Sequence, residues 1–402
     1  MSEKVLAEQE REEEKMKKNM KAVIAVDSWK GSLSSLGAGE AVKKGILRVY
    51  PDAEIIVKPV ADGGEGTVDA LVQGMQGRKE KVMVTGPLGE MTEAEYGITG
   101  DGKTAVMEMA AAAGLTLVSR EKRNPMLTTT YGVGEMIKDA IEKGCRRFLV
   151  GIGGSATNDG GAGMLQALGF GLLDGQGEQI PKGAKGLEKL EKITDEEVLP
   201  QLSDCTFRIA CDVTNPLCGE QGCSAVYGPQ KGADPDMIKD MDRWLAHYAE
   251  LAGAYSAKAA PKFPGTGAAG GLGFAFLTFT NGILDPGIKI VLEETGLEEA
   301  VKEGDIIITG EGCLDGQTAM GKAPAGVAQM AKKYNKPVIA FSGAVTEDAV
   351  QCNREGIDAF FPVLRHVCTL EEAMEPGQAE KNLTDTAEQI FRLIKIVKEA
   401  GK

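Results

Sequence analysis

The chain has 402 residues and carries 45 Lys and Arg against 59 Asp and Glu, a formal net charge of −14, on a length suited to two domains. That acidity excludes the broad basic face of a nucleic-acid binder, and no apolar run is long enough for a bilayer span or a signal-peptide core, so a cytoplasmic location is expected. Eight cysteines without a CxxC pair and two distant histidines, His247 and His366, read as reduced thiols and exclude a histidine-based metal cluster.

Residues 2–19 form a charged tract with almost no apolar positions, expected to stay out of the core. KAVIAV (21–26) reads as a buried strand, followed by a helical segment to about Tyr50. EIIVKPV (54–60) is a second strand with a helix to about Gln76. EAEYGIT (93–99), the turn GDGK and TAVMEM (104–109) read as a hairpin. RFLVGI (147–152) and TFRIAC (206–211) are further strands. DIIIT (305–309), PVIAF (337–341) and DAFFPV (358–363) each precede a helix-like stretch, and a last helix is expected over 381–399. Strand–helix alternation implies a parallel, doubly wound sheet. The expected architecture is α/β: a discontinuous Rossmann-like parallel-sheet domain over 20–85 and 285–402, with a second α/β domain, 86–284, inserted, and an N-terminal extension 1–19.

Small polar and charged residues follow the strands. DSWKGSLS (27–34) follows the first, ADGGEGT (61–67) the second and GEGCLDGQT (310–318) a later one; GGSATNDGG (153–161) and CDVTNP (211–216) follow strands of the inserted region. In a parallel sheet these loops lie at the carboxyl edge, where open α/β folds bind ligands. A single cleft between the two domains is therefore expected. Six glycines surround Ser155, Thr157, Asn158 and Asp159 in GIGGSATNDGGAG (151–163); such a run implies either a crowded turn or backbone N–H groups brought close to phosphate.

Two pattern matches carry little weight. GITGDGKT (97–104) fits the Walker A pattern, but a working P-loop needs a strand before it and a helix at its Lys-Thr end; the hairpin reading fits better. GTGAAG (265–270) fits GxGxxG, but it follows KFPG and not a strand. Lys30, beside Gly31 and a serine cap, reads equally as an anion site or a surface lysine. Asp62, Glu65, Glu311 and Asp315 lie on glycine loops and suit Mg²⁺, which takes oxygen ligands, although Asp-Gly also favours plain turns. Asp212 could accept a hydroxyl proton, hold a metal or cap a turn. GPQKGA adds Lys231 and QTAMGK adds Lys322.

These stretches, with EMAAAAGL (108–115), RNPMLTTTYGVG (123–134), CDVTNPLCG (211–219) and GAAGGLG (267–273), resemble the glycerate kinase type-1 family along nearly the whole chain from Met20. The resemblance implies ATP-dependent phosphorylation of (R)-glycerate to 2-phosphoglycerate with Mg²⁺, and two α/β domains, one inserted in the other. The chain departs from the family in places: Trp29 stands where Phe is usual, Val26 where Pro is usual, and Cys313-Leu314-Asp315 where Arg-Ile-Asp is usual. The missing arginine removes a fixed charge near the phosphates.

On that reading, Lys30, Asp212 and Asp315 are the candidate catalytic residues, and Ser32, Arg123, Asn215 and Lys231 the candidates for substrate binding. Gly153, Gly154, Ser155, Thr157, Asn158, Gly270, Gly271 and Lys322 would meet nucleotide phosphates; Asp62, Glu65 and Glu311 would hold metal, with Asp62 also a rival to Asp212. The expected partners are glycerate and ATP, with no nucleic acid and no membrane; homo-oligomerisation stays open. Two alternatives stand: a P-loop NTPase using Gly97–Thr104, and a non-catalytic sugar-acid-binding relative.

Overall fold

The computed structural model describes residues 19–64 and 66–400. The charged tract, apart from Asn19, lies outside the described residues, as does Glu65. The chain gathers into two compact units: residues up to Val60 together with Thr295 onward, and Ala61–Glu294.

Thirteen strands occur among the described residues. In chain order, the first six are β1 (Lys21–Val26), β2 (Glu54–Val57), β3 (Arg78–Thr85), β4 (Met91–Ile98), β5 (Thr104–Glu108) and β6 (Arg147–Gly151). They are followed by β7 (Gly171–Leu173), β8 (Lys192–Thr194), β9 (Thr206–Ala210), β10 (Gly282–Asp285), β11 (Ile306–Leu314), β12 (Val338–Val345) and β13 (Ala359–Pro362).

The first unit is built on a five-stranded sheet in the order β13-β12-β11-β1-β2, with every pairing parallel. β1 is buried on both faces from Ala22 to Val26, as its unbroken apolar run dictates. From β1 the chain moves outward to β2, and from β11 it moves the other way to β12 and β13. The order therefore reverses between β1 and β11, a switch point of the kind at whose carboxyl ends open α/β sheets bind ligands. Ser35 ties three segments together there: its Oγ donates to Val26 O at 2.6 Å and accepts from Val60 N–H at 2.9 Å. Ser34 caps the following helix, Ser35–Leu47, by accepting from Gly37 N–H. The long helix Pro376–Ala400 packs against Ser35–Leu47.

The second unit holds a six-stranded sheet, order β10-β9-β6-β5-β4-β3, and the antiparallel ribbon β7-β8. Its β10, β9, β6 and β5 run parallel, while β4 and β3 are antiparallel additions. Phe148 of β6 stacks on Phe207 of β9 with centroids 4.7 Å apart, and helix Tyr131–Glu142 buries Val133, Met136, Ile137 and Ala140 onto the same core. No described helix is long and apolar enough to cross a membrane.

The α/β architecture with one unit inserted into the other is the one the sequence suggests. The units divide at 60/61 and 294/295, whereas the sequence suggested 85/86 and 284/285. The difference comes from β3, a strand outside the elements expected from the sequence. β3 pairs with β4 over Arg78–Thr85, and helix Thr67–Gly74 packs on that same sheet, so both belong to the inserted unit.

The Walker A match is a hairpin. β4 and β5 pair antiparallel through Gly97↔Val106 and Ile98↔Ala105, and strand β5, not a helix, follows Lys103. Gly97 has a packing reason: a Cβ there would come within 2.0 Å of Val72 Cγ2.

Candidate active site

In the second unit, the carboxyl ends of β5, β6 and β9 and the segment after β10 gather the chemistry-bearing loops. β6 leads into the glycine loop. Four of its six glycines answer to packing. A Cβ on Gly161 would lie 2.4 Å from Ala275 Cβ, and one on Gly163 2.2 Å from Thr129 Oγ1; Gly151 and Gly160 are similarly crowded by Gly63 O and Tyr248. Gly153 is different: it is exposed, and nothing lies within 4 Å of its Cβ position. Gly154 is exposed too, in the left-handed region at φ +70°. The bare part of the loop is therefore Gly153–Gly154.

The polar side chains of the loop face inward. Ser155 Oγ accepts from Lys231 Nζ at 2.8 Å, and Asn158 Nδ2 donates to Ser224 Oγ at 2.8 Å. Thr157 and Asn158 are fully buried, and Thr157 Oγ1 and Asn158 Oδ1 have no hydrogen-bond partner among the described residues. Asp159 is also fully buried and accepts from Thr130 N–H and Oγ1 and from Gly161 and Gly163 N–H. Burial pushes its pKa up, against those hydrogen bonds. Gly270 and Gly271 back onto the loop: a Cβ on Gly270 would come within 2.1 Å of Thr157 O, and Gly160 N–H donates to Gly270 O. The GxGxxG match thus buttresses the glycine loop.

Asp212 follows β9. Its Oδ1 accepts from Gly287 N–H at 3.0 Å, at the start of helix Gly287–Glu294. The side chain reaches solvent, yet the surrounding protein raises its pKa; the Gly287 bond opposes that rise and the nearby Asp62 charge adds to it. Asp62 and Asp212 are thus carboxylate neighbours within one unit. A further carboxylate, Glu108, ends β5; its sequence context, EMAAAAGL, carries no sign of a site. It accepts from Val68 N–H at 3.3 Å and is engaged by the amides of Gly66 and Thr67, so it caps helix Thr67–Gly74, which has no side-chain cap of its own. Burial, its largest influence, pushes the Glu108 pKa up.

The remaining candidates of this unit have structural partners. Asn215 donates to Gln221 O and accepts from Tyr227 OH. Arg123 Nη1 reaches Gln230 O at 3.4 Å, while its Nε is buried without a partner among the described residues. Lys231 is 2 % exposed, and its ammonium lies beneath the loop.

In the first unit, Lys30 and Ser32 follow β1, and Glu311, Cys313, Asp315 and Lys322 belong to β11 or the segment after it. The β1 and β11 ends meet closely: a Cβ on Gly312 would lie 3.5 Å from Trp29 Cα. Lys30 is exposed. Ser32 Oγ and Trp29 Nε1 are buried without partners among the described residues. Asp27, not singled out from the sequence, is 5 % exposed at the end of β1 and accepts from Ser28 N–H. Asp315 serves the local turn, accepting from Gln317 and Thr318 N–H, and Lys322 Nζ lies 3.9 Å from its Oδ1. Glu311 accepts from Thr318 Oγ1 at 2.6 Å.

A cavity of about 650 Å³ in the second unit, lined by Phe170, Tyr255 and Asn281 among others, lies at the amino-terminal ends of β9 and β10, opposite the loops just described.

A switch point in one parallel sheet, and a bare glycine turn at the carboxyl edge of a second, mixed sheet, characterise a two-unit α/β protein. Comparison with known proteins narrows this. The glycerate kinase family model matches residues 22–395. The chain is 50% identical over 372 residues to the glycerate 2-kinase of Escherichia coli K12, covering 91% of this chain and 98% of that one. It is 49% identical over 375 residues to the glycerate kinase of Haemophilus influenzae, covering 93% and 99%. A crystal structure from Salmonella typhimurium LT2, provisionally assigned as glycerate kinase 2, superposes with a TM-score of 0.88 at 46% identity, covering 95% of this chain and 100% of that one. The chain belongs to the glycerate kinase family.

Proposed function

We propose that the protein transfers the γ-phosphoryl group of ATP to the 2-hydroxyl of (R)-glycerate, giving 2-phosphoglycerate and ADP. The observation that carries this reading lies in the second unit: an accessible carboxylate, Asp212, on the same sheet edge as the bare Gly153–Gly154 turn. Backbone N–H groups of that turn receive phosphate oxygens, with no side chain in the way. Asp212 Oδ2, which has no partner among the described residues, accepts the hydroxyl proton. The glycerate oxygen forms a bond to the γ-phosphorus as the bond from that phosphorus to the β,γ-bridging oxygen breaks, and ADP leaves. Lys30, exposed after β1 in the first unit, is the cation proposed to meet an anionic group of substrate. Phosphoryl transfer draws on positioning and charge neutralisation more than on covalent help.

The donor set fits Mg²⁺ in one form only. No group of three or more His, Cys, Asp or Glu is arranged around a common point among the described residues, which do not include Glu65. Asp62, the carboxylate beside Asp212, suits an ion that keeps its waters and leans on substrate phosphates. Bound with the nucleotide, it would neutralise phosphate charge.

The test is a coupled assay with ATP, Mg²⁺ and (R)-glycerate, followed by phosphorus NMR of the product. We expect ADP release only with all three present, and the 2-phosphoglycerate resonance. A product signal from 3-phosphoglycerate alone would overturn the regiochemistry, and no turnover would overturn the reading.

A further inference from the structure

We infer that Lys231 is a positioning residue: its buried ammonium clamps the glycine loop from beneath and holds the Gly153–Gly154 turn in the shape that takes up nucleotide phosphate, without itself touching the nucleotide. The inference rests on the loop being the phosphate cradle.

Lys231 closes the short turn Pro229–Lys231. Gly232 follows at φ +94° and presses on the Arg123 backbone, where a Cβ would come within 2.4 Å of Arg123 O. The lysine stem is thereby fixed. Its Nζ donates to Ser155 Oγ at 2.8 Å and to Thr157 O at 2.6 Å, so one cation bridges two residues directly after the bare turn. The neighbouring atoms of the loop are tied elsewhere: Leu115 N–H donates to Gly154 O, Ala156 N–H to Ala113 O, and Thr128 Oγ1 to Ala156 O.

A purely structural role is a poor account of this lysine. A buried ammonium is costly unless paired, and among the described residues no carboxylate lies within ion-pair distance of Lys231. The charged and titratable groups facing it are Asp159 and Cys223; both favour its charge, but burial outweighs them and lowers its pKa to about 8. A neutral side chain could fill the space at less cost. A fixed positive charge under a phosphate-binding turn favours the anion above it and needs no reorganisation when the ligand arrives.

The experiment compares wild type with Lys231→Met and Ser155→Ala, using MgATP binding by calorimetry, KM for each substrate and kcat. Charge-assisted hydrogen bonds of this kind are strong, so Lys231→Met should weaken MgATP binding about 10–100-fold while KM for glycerate changes less than about 2-fold. Ser155→Ala removes one of the two bonds and should weaken MgATP binding by a smaller factor, with no further loss when combined with Lys231→Met. In wild type the MgATP affinity should fall as pH rises through about 8; in Lys231→Met that limb should vanish. Should Lys231→Met fail to fold, the wild-type pH limb and its displacement in Ser155→Ala decide. Unchanged MgATP affinity in a folded Lys231→Met, or equal losses for both substrates, overturns the inference and leaves the kinase reading intact. Turnover that protection of the loop amides by nucleotide does not accompany overturns the cradle itself.

Discussion

One oxygen of Asp212, Oδ1, accepts the Gly287 N–H at 3.0 Å, while Oδ2 is left uncommitted. The first bond fixes the orientation of the carboxylate; the second oxygen is available to a substrate hydroxyl. Asp315, the rival candidate, likewise commits its Oδ1, to the amides of Gln317 and Thr318. Asp212→Asn keeps the shape but cannot take up a proton. Turnover should fall about 10²–10⁴-fold, as for loss of a general base, with KM for glycerate nearly unchanged. Because the Asp212 pKa is raised in the folded protein, its ionised form opposes folding, and the variant should melt no lower than wild type. Near wild-type kcat would move the proton acceptor to Asp62 or leave catalysis to positioning.

Glu108 supplies the cap that Gly66 cannot. Glu108→Ala leaves amides at the start of helix Thr67–Gly74 unpaired and should destabilise the second unit by about 1–3 kcal/mol. Glu108→Gln keeps an acceptor and removes a charge that burial disfavours, so it should be near neutral at pH 7. The raised pKa gives the sign of the pH effect. The folded state holds this proton more tightly than the unfolded chain, so wild type gains on Glu108→Gln as pH falls toward the ordinary carboxylate value and loses that gain as pH rises through the folded value. Chemical denaturation at several pH values, with hydrogen exchange at Gly66–Val68, checks both.

The two carboxylates illustrate what a sequence reveals. Asp212 was legible because it follows an apolar run, TFRIAC, inside a polar loop. Glu108 was not: in EMAAAAGL it looks like the end of a strand, and its partners lie 40 residues away in sequence. The parallel strands were readable because burial on both faces demands unbroken apolar runs. β3, RKEKVMVT, exposes most of its charged positions and resembles a solvated connection, which is why the unit boundary moved. Of the glycine loop, the motif was visible but the division of labour was not. Only the facing side chains, Ala275, Tyr248 and Thr129, tell which glycines answer to crowding, and those come from distant segments. Lys231 announced itself as a cation in a glycine turn; its burial depends on a fold that brings residue 231 under residue 155.

Cys313, on β11 of the first unit, stands where the resemblance implies arginine. It is exposed. Burial raises its pKa, the Asp315 and Glu311 charges add to that, and Lys322 opposes it, so the thiol stays protonated and supplies no charge. Cys313→Arg introduces a fixed guanidinium beside two carboxylates and on a solvent-facing edge. The expected result is a fall of a few-fold in KM for one of the anionic substrates, with the melting temperature little changed; surface charge pairs contribute little to stability. Steady-state kinetics of both substrates at two salt concentrations would test it, since a charge effect should shrink as salt rises. A rise in KM would show that this position is no longer an anion site.

Two exposed lysines separate the rival models. Lys103 belongs to the Walker A match, but it sits in the turn between β4 and β5, where Asp101 Oδ1 accepts its backbone N–H at 2.8 Å and a strand, not a helix, follows. Lys30 follows β1, beside the point where the strand order of the first sheet reverses. Its segment is fixed: Trp29 N–H donates to Leu33 O, Ser32 N–H donates to Trp29 O, and Ser34 and Ser35 anchor the helix that follows. A cation stabilises developing charge only where its position is held in advance, and that condition is met for the Lys30 segment. Lys30→Ala should therefore lose most kcat/KM, and Lys103→Ala should keep it within about 2-fold, as for surface substitutions away from a site. Both variants need circular dichroism spectra that match wild type, and kcat/KM measured for ATP and for glycerate. If Lys103→Ala is the inactive protein and Lys30→Ala the active one, the loop after β1 is not part of the active site, and the hairpin, despite lacking a helix, holds the nucleotide.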